Sequence, residues 1–395
     1  MIQPPKSKAV QPVAGAGTAS SLVVQRVRDL AQLEPWISHW DALAERAAPG
    51  RPMCSGSWVA AWLEVRPPGA PTFEVALASR GERLVGAWPF VVRHRWPLHV
   101  VPPSDLHTFT GGPVLDPDED PGAILGALLD GGLARRAHRA SVLGVVEGDP
   151  LHQTLARAML KGWTPIVRKA RFRGARLGTD TPFDVPWRSL SSKSRQRLKL
   201  ARRRLGELGA LEHRVDEGEA ALASLETFLA LEAATWKGRD TSAIATDAHA
   251  KAFYLAWGRR LAARSWLRVS WTTVAGRPVA SELCVLFAGT LFVQKITFAE
   301  DVARESPGHV RWAETVAWAC EREDVHAIDT IGCDDIRLRW GCTPYEYVHV
   351  HFVRRGILPT LLTRWPLALR ARLARWRHGD APSAGGDAGG DTAEA

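Results

Sequence analysis

VASELCVLFAGTLFVQKITFAEDVARESPGHVRWAETVAWAC, residues 279–320, is the stretch of sequence that decides the fold. Two segments within it, 279–287 and 291–298, are rich in β-branched and aromatic residues and are separated by a glycine turn. Together with the similar segment 269–274, they predict three strands in a meander. Pro307 and Gly308 then mark a turn, after which apolar residues recur at helical spacing. We therefore predict a helix that begins at an exposed turn directly after the third strand.

The start of this predicted helix has the properties of an anion site. The first turn of a helix offers unpaired backbone N–H groups and the positive end of the helix dipole. Ser306, Gly308, His309 and Arg311 cluster there. This combination indicates a place where a pyrophosphate could bind.

The segment after the helix is predicted to be a strand, residues 326–332, that leads into an acidic turn. Asp329, Asp334 and Asp335 lie at or near its carboxyl end. Ligands of open α/β sheets usually bind in the crevice outside the carboxyl ends of strands. The acidic turn is therefore a second candidate part of a site.

The turn, the helix, the strand and the acidic turn, taken in this order, resemble the CelD-like acetyltransferases of the GNAT superfamily, which are relatives of the Fem-type aminoacyltransferases. The resemblance runs from about Val24 to Val353. Asp329, Gly332 and Trp340 fit the family pattern, as does Asp334. Ile336-Arg337 stands where the family has a Tyr-Lys pair; the arginine keeps the charge, but the isoleucine supplies no phenol.

The resemblance implies an α/β (α+β) fold of tandem GNAT-like domains, each a mixed, mostly antiparallel sheet flanked by helices. The order of segments agrees, because a helix at 124–137 followed by a strand at 141–147 repeats the helix at 309–323 and the strand at 326–331. The expected division is a disordered tail at 1–21, an amino-terminal GNAT-like domain at 22–178, a catalytic GNAT domain at 179–356, a basic amphipathic helical segment at 357–378 and a disordered acidic tail at 379–395.

Family membership would make an acyl-CoA, most simply acetyl-CoA, the co-substrate, with no metal. In the GNAT fold one strand parts from its neighbour and exposes backbone groups to the pantetheine arm; by resemblance this strand is 291–298. The expected donor contacts are Lys295, Ile296, Ser306, Gly308, His309 and Arg311.

A basic helix is predicted at 193–208, with Ser191 or Ser192 as its amino-terminal cap and Gly209 as its carboxyl-terminal cap. Its polar faces are almost purely cationic, which indicates an anion nearby or, alternatively, an ordinary solvated surface. The resemblance places substrate contacts on this helix, on a downstream basic loop and on the acidic turn: Lys193, Arg197, Trp236, Arg239, Arg337 and Trp340.

The transfer needs a base for the proton of the acceptor. We rank Asp334 first, then Asp329, Glu282 and His309. The pKa of Glu282 would rise if this side chain were partly buried. Tyr345 could protonate the departing thiolate, although its alternating segment is also typical of packing in a strand. Because neither a Ser-His-Asp order nor a P-loop is present, we expect direct transfer in a ternary complex.

The composition of the chain indicates which partners and which cellular compartment to expect. It has 395 residues, 46% of them apolar, and a net charge of +9, which favours anionic partners. Its five cysteines show no CxxC spacing and indicate a reducing cytoplasm. The segment 357–378 fits either a peripheral contact with the anionic inner face of a membrane or packing on its own domain.

The sequence thus predicts an acyltransferase acting on an amine or hydroxyl of a small-molecule or cell-envelope saccharide acceptor. Two alternatives stay open at this point: Fem-type aminoacyl transfer from charged tRNA, and a binding module that keeps the fold without the chemistry.

Overall fold

Helices pack on both faces of a single mixed sheet in the computed structural model, which describes residues 21–47, 50–104, 108 and 110–356. The predicted acidic tail and basic segment at 357–395 lie outside the described residues, as does the amino-terminal tail apart from Ser21.

The amino-terminal half contains seven strands and five helices, separated by short 3-10 turns. In chain order they are β1 Leu22–Val27, α1 Leu30–Leu33, α2 Ile37–Arg46, α3 Gly56–Glu64, β2 Phe73–Arg80, β3 Arg83–Arg95, β4 Leu98–Val101, β5 Val114–Leu115, α4 Pro121–Asp130, β6 Arg139–Val146, α5 Pro150–Arg157 and β7 Trp163–Gly178.

The carboxyl-terminal half contains six strands and seven helices. They are α6 Asp184–Ser189, α7 Ser192–Glu207, β8 Leu211–Glu217, α8 Gly218–Ala233, α9 Trp236–Arg239, α10 Ala248–Ala263, β9 Leu267–Val274, β10 Arg277–Phe287, β11 Thr290–Phe298, α11 Pro307–Cys320, β12 Ala327–Asp329, α12 Asp335–Arg339 and β13 Thr343–Arg354.

The two halves repeat one topology. The sheet order is β1-β2-β3-β4-β6-β13-β7-β12-β11-β10-β9-β8, with β5 beside β3. Each half is an antiparallel meander whose last strand has a parallel neighbour, β6 beside β4 and β12 beside β11. The fold class predicted from the sequence, tandem GNAT-like halves with mixed sheets and flanking helices, is confirmed.

The final strand of each half lies within the sheet of the other half. β13 pairs with β6 of the amino-terminal half, and β7 pairs with β12 of the carboxyl-terminal half. The two exchanged strands also pair with each other, from Thr343 opposite Arg176 to Arg354 opposite Trp163. The centre of the sheet is therefore built from strands that cross between the halves.

An apolar core also joins the halves on one face of the sheet. Helices α2 and α3 pack there with α8 and α10 around buried aromatic side chains. Trp58 from the first half meets Phe253 from the second edge to face, with ring centroids 5.5 Å apart. On the opposite face Trp312 and Val316 bury α11 against β10, β11 and β12. This packing fixes where α11 begins.

Helices α1 and α2 are separated by a 3-10 turn at Pro35, which cannot donate a backbone hydrogen bond. Three elements differ from the prediction. Helix α4 ends at Asp130, before two glycines, instead of continuing to 137. The acidic turn contains a short helix, α12. The long strand β7 was not predicted.

Two buried histidines beside the central strands are held neutral by their surroundings. Arg139 donates to Nδ1 of His99, which leaves Nε2 of that ring to donate to Ser141 (2.8 Å). The Ser141 hydroxyl lies 2.7 Å from Nδ1 of His351. Burial, followed by the charge of Arg139, lowers the pKa of His99 to about 2 and that of His351 to about 3.

These pKa values predict a loss of stability in mild acid. Below pH 6.5 both histidines are protonated in the unfolded chain, whereas His99 and His351 stay neutral in the folded protein. The free energy of unfolding therefore falls as the pH falls. Each histidine should contribute a loss of about 2 kcal/mol between pH 7 and pH 5. Urea unfolding of His351→Gln across this range should show a shallower pH dependence than the wild type. An equally steep dependence would contradict the assignment, and the exposed His39→Gln serves as control.

The strand exchange predicts that neither half folds alone. A cut between Gly178 and Thr179 separates β7 and β13 from the sheets that they complete and exposes the shared apolar core. We expect residues 21–178 and 179–356 to be insoluble when expressed separately and to assemble when co-expressed, as judged by size-exclusion chromatography. Cooperative unfolding of either half as an isolated monomer would contradict this prediction.

Candidate functional site

Helix α11 begins without a capping side chain. Ser306 precedes it in the left-handed region, with φ 52° and ψ 50°, and no side chain accepts a hydrogen bond from the first turn. Pro307 at the first helical position has no N–H, so Gly308 and His309 present the first N–H groups. His309 N donates to the Ser306 carbonyl (3.1 Å), so the Gly308 N–H is the donor at the start of the helix that is left for an outside acceptor.

A cavity of about 340 Å³, which we call the helix-start cavity, opens in front of α11. Helix α7 forms its opposite wall, and α12 closes one end. It brings together Ser306, His309, Arg197 and Trp340, four of the residues predicted to bind donor or substrate. Lys193 lines an adjoining cavity that shares Arg197 with the first. The structure thus joins the predicted phosphate site to the predicted basic helix.

The charge of the helix-start cavity is positive and unbalanced. Its wall contains Arg197, Arg204, Arg304 and Arg339 but no acidic residue. Within the described residues none of these four guanidinium groups forms an ion pair. Two other arginines of α7 do form ion pairs, Arg202 with Glu314 and Arg203 with Glu207. The contrast indicates that the cavity is built to receive an anion.

His309 stands at the mouth of this cavity. Loss of hydration, followed by the charge of Arg337, lowers the pKa of its imidazole. The ring is therefore neutral at pH 7 and can offer one hydrogen-bond donor and one acceptor.

Strands β11 and β12 part beyond Phe292 and Asp329, and the end of β11, Phe298, lies next to Gly308 at the start of α11. They pair only from Thr290 opposite Ala327 to Phe292 opposite Asp329, while β11 continues to Phe298. A bulge at Gln294 shifts the register of β11 against β10 at the same point. No described strand pairs with the other edge of 293–298, which contains the predicted contacts Lys295 and Ile296. The side-chain amide nitrogen of Gln294, Nε2, is buried without a hydrogen-bond partner among the described residues.

A polar cluster lies where the two strands part. The Asp329 carboxylate accepts hydrogen bonds from Tyr345 Oη (2.7 Å), from Arg176 (3.1 Å) and from the backbone of Ile331 (2.8 Å). Tyr345 Oη is in turn 2.9 Å from Tyr347 Oη. Burial raises the pKa of Asp329, although Arg176 and Tyr345 oppose the shift. Burial also raises the pKa of both tyrosines, so both stay protonated.

A glycine on the central strand makes this cluster possible. Gly174 lies opposite Tyr345 in the β7–β13 ladder. A Cβ atom added at Gly174 would stand 2.1 Å from Cζ of the Tyr345 ring. Only glycine therefore lets the phenol cross β7 and reach Asp329. Arg176 and Tyr347 were not predicted as site residues, because their strands approach β12 only through the exchange.

Asp334, ranked first as the base, has a local structural role. Its carboxylate caps α12 by accepting from Arg337 N (2.9 Å) and forms an ion pair with the Arg337 guanidinium (2.8 Å). That guanidinium also lies over the ring of Trp312, 4.9 Å from the centroid. The predicted substrate contact Arg337 is thus held by two neighbours and is 7% exposed.

Glu282 and Arg311 lie in the core, away from the cavity where they were expected. Each is 2% exposed. Glu282 accepts hydrogen bonds from Ser270 and Thr315, and Arg311 donates to the carbonyl of Trp271. Arg311 projects from the buried face of α11, so its guanidinium cannot contact a phosphate at the helix start. Glu282 is likewise enclosed between the sheet and this helix.

Trp236 and Arg239 are held beside the far end of β11. The backbone N–H of Trp236 and the Arg239 guanidinium both donate to Glu300, the latter at 2.9 Å. Their neighbour Lys237 donates to the carbonyl of Ile296. Helix α9 therefore lies beside the carboxyl-terminal part of β11.

Comparison with known proteins agrees with this geometry. Residues 192–346 match the family model described as "Acetyltransferase (GNAT) domain". No curated protein matches the sequence. Among the solved structures with this fold is FemX, at 11% identity and TM-score 0.59; the match covers 82% of this chain and 98% of the FemX chain. Another is a conserved protein of unknown function from Bacteroides thetaiotaomicron VPI-5482, at 12% identity and TM-score 0.56; the match covers 84% of this chain and 100% of that chain.

The carboxyl-terminal half therefore has the sequence pattern of a GNAT acetyltransferase domain, and the whole chain has a fold shared with FemX. The finer CelD-like grouping is not distinguished by these matches. Among the described residues, no group of three or more His, Cys, Asp or Glu side chains could hold a metal ion. None of the described helices is long and apolar enough to span a bilayer.

Proposed function

We propose that this protein transfers an acyl group, in the simplest case acetyl, from a CoA thioester to an amine or hydroxyl in a ternary complex. The observation that carries the proposal is the unpaired edge of β11 at 293–298, which lies beside the uncapped start of α11 and its cationic cavity. The phosphates of CoA would bind at a helix start, and its extended, amide-bearing pantetheine arm would bind along a free strand edge, so the two features must lie side by side.

The donor would bind mainly to the backbone. The diphosphate would accept hydrogen bonds from the first turn of α11, with Arg304 and Arg204 balancing its charge. The pantetheine amides would pair with the exposed edge of β11 as an added strand does. The thioester would then lie near the point where β11 and β12 part, next to Asp329.

Asp329 is the carboxylate whose position best suits the base. Attack by the acceptor on the thioester carbonyl releases one proton, which would pass through the Tyr345 hydroxyl to Asp329 as the carbon–sulfur bond breaks. The same proton can return to the departing thiolate, so the enzyme ends unchanged. The raised pKa of Asp329 makes it a better proton acceptor than an exposed aspartate.

For the acceptor we propose a small molecule or cell-envelope saccharide, which is supported by the resemblance to CelD-like proteins. Aminoacyl transfer from tRNA is the second candidate. It is favoured by the exposed cationic face of α7, which includes Lys193, Arg197, Lys199, Arg203 and Arg204.

Ligand-induced thermal shift tests the donor. Acetyl-CoA and CoA should raise the unfolding midpoint, since a ligand at 100 times its Kd stabilises the folded state by about 2.7 kcal/mol. Arg304→Gln should reduce the shift, whereas Arg203→Gln, on α7 but outside the cavity, should leave it unchanged. A shift with tRNA alone would favour the aminoacyl alternative. No shift with any of the three would contradict the proposal.

Substitution of the two candidate bases tests the mechanism. Asp329→Asn should lower kcat by about 10²- to 10⁴-fold while leaving the affinity for CoA unchanged, because the base acts only in the chemical step. Asp334→Asn should have the smaller effect on kcat, since it chiefly weakens the cap of α12. The reverse order of effects would identify Asp334 as the base.

A further inference from the structure

We propose that the second cavity, beside the start of α7, binds the 3′-phosphate of CoA. This inference rests on the proposed function. It names the donor as free CoA in preference to a pantetheine thioester carried on a protein, because only the former has a phosphate on its ribose.

Cations and hydroxyl groups line this second cavity. Its volume is about 420 Å³, and no acidic residue is part of its wall. The lining residues are Ser189, Ser191, Lys193, Ser194, Arg197 and Arg339. Such a wall offers hydrogen-bond donors and positive charge to an anion.

The first turn of α7 is electrostatically unfavourable as it stands. Ser191 caps the helix by accepting from Ser194 N, and the first turn contains no acidic residue. Lys193 and Arg195 instead place positive side chains at the positive end of the dipole of a 16-residue helix. Arg195 donates to the carbonyl of Leu190, but Lys193 has no ion-pair partner within the described residues. An anion in the cavity would relieve this repulsion.

The two cavities are contiguous. Ser194, Arg197 and Arg339 line both of them, whereas Lys193 lines only the second, and Arg204 and Arg304 line only the helix-start cavity. CoA has two anionic groups joined through one ribose, a diphosphate and a 3′-monophosphate. A carrier-bound pantetheine has a single phosphodiester. Two adjoining cationic cavities therefore match CoA better than a carrier-bound arm.

This division of residues gives a sharp test by isothermal titration calorimetry with CoA, 3′-dephospho-CoA and 4′-phosphopantetheine at one ionic strength. The wild type should bind CoA about tenfold more tightly than 3′-dephospho-CoA, the effect of one charge-assisted contact. Lys193→Gln should abolish this ratio by weakening only CoA. Arg204→Gln should weaken both nucleotides alike and preserve the ratio. Lys199→Gln, exposed on α7 outside both cavities, is the matched control.

Equal affinities of the wild type for CoA and 3′-dephospho-CoA would overturn the inference and leave the proposed function standing. An equal loss of both affinities in Lys193→Gln would overturn it as well. Absence of heat with all three ligands would reject the proposed function itself.

Discussion

The pairing of β7 with β13 is the interaction on which the rest of the structure depends. Each strand comes from one half and completes the sheet of the other, so the ladder between them, from Thr343 to Arg354, joins the two repeats into one sheet. The same ladder positions chemical groups. It places Arg176 and Tyr345 on either side of Asp329, with Gly174 leaving room for the phenol. The pairing that joins the two halves therefore also brings the residues of the polar cluster together.

The shortness of β12 determines the second feature of the site. Because this strand pairs with β11 over only three residues, the rest of β11 has no neighbouring strand on that edge, and the chain turns away at Thr330 to form α12. Helix α12 then closes the end of the helix-start cavity through Trp340, which packs on Phe183 and Trp187. A longer strand would have satisfied the edge of β11 and left no opening beside α11. Both the helix-start cavity and the separation of β11 from β12 therefore follow from the shortness of β12.

Local signals predicted the local parts of the site. Strands β9 to β11 and the start of α11 follow from β-branched runs, glycine turns and the Pro307-Gly308 pair, all of which act within a few residues. The sequence could not show which face of α11 would be buried, and Arg311 was assigned to the wrong one. Strand β7 was missed because its alternating Arg and Lys side chains resemble a solvated segment. The cluster around Asp329 brings together 176, 329 and 345, which only the strand exchange makes neighbours.

The amino-terminal half shows that the fold alone does not make an anion site. Its helix α4 also begins with a Pro-Gly pair, Pro121-Gly122, but Asp120 caps the first turn by accepting from two of its N–H groups. Asp118 and Glu119 precede this cap, where Arg304 and Glu305 precede Ser306. Where β4 and β6 part, Gly111 exchanges backbone hydrogen bonds with Leu143 of β6 (2.9 and 2.8 Å) and occupies that edge. Within its described residues, the first repeat thus has a capped helix start and a hydrogen-bonded strand edge, which the second repeat lacks. The cap before the helix and the freedom of one strand edge, and not the shared topology, distinguish the second repeat, where we propose that the donor binds.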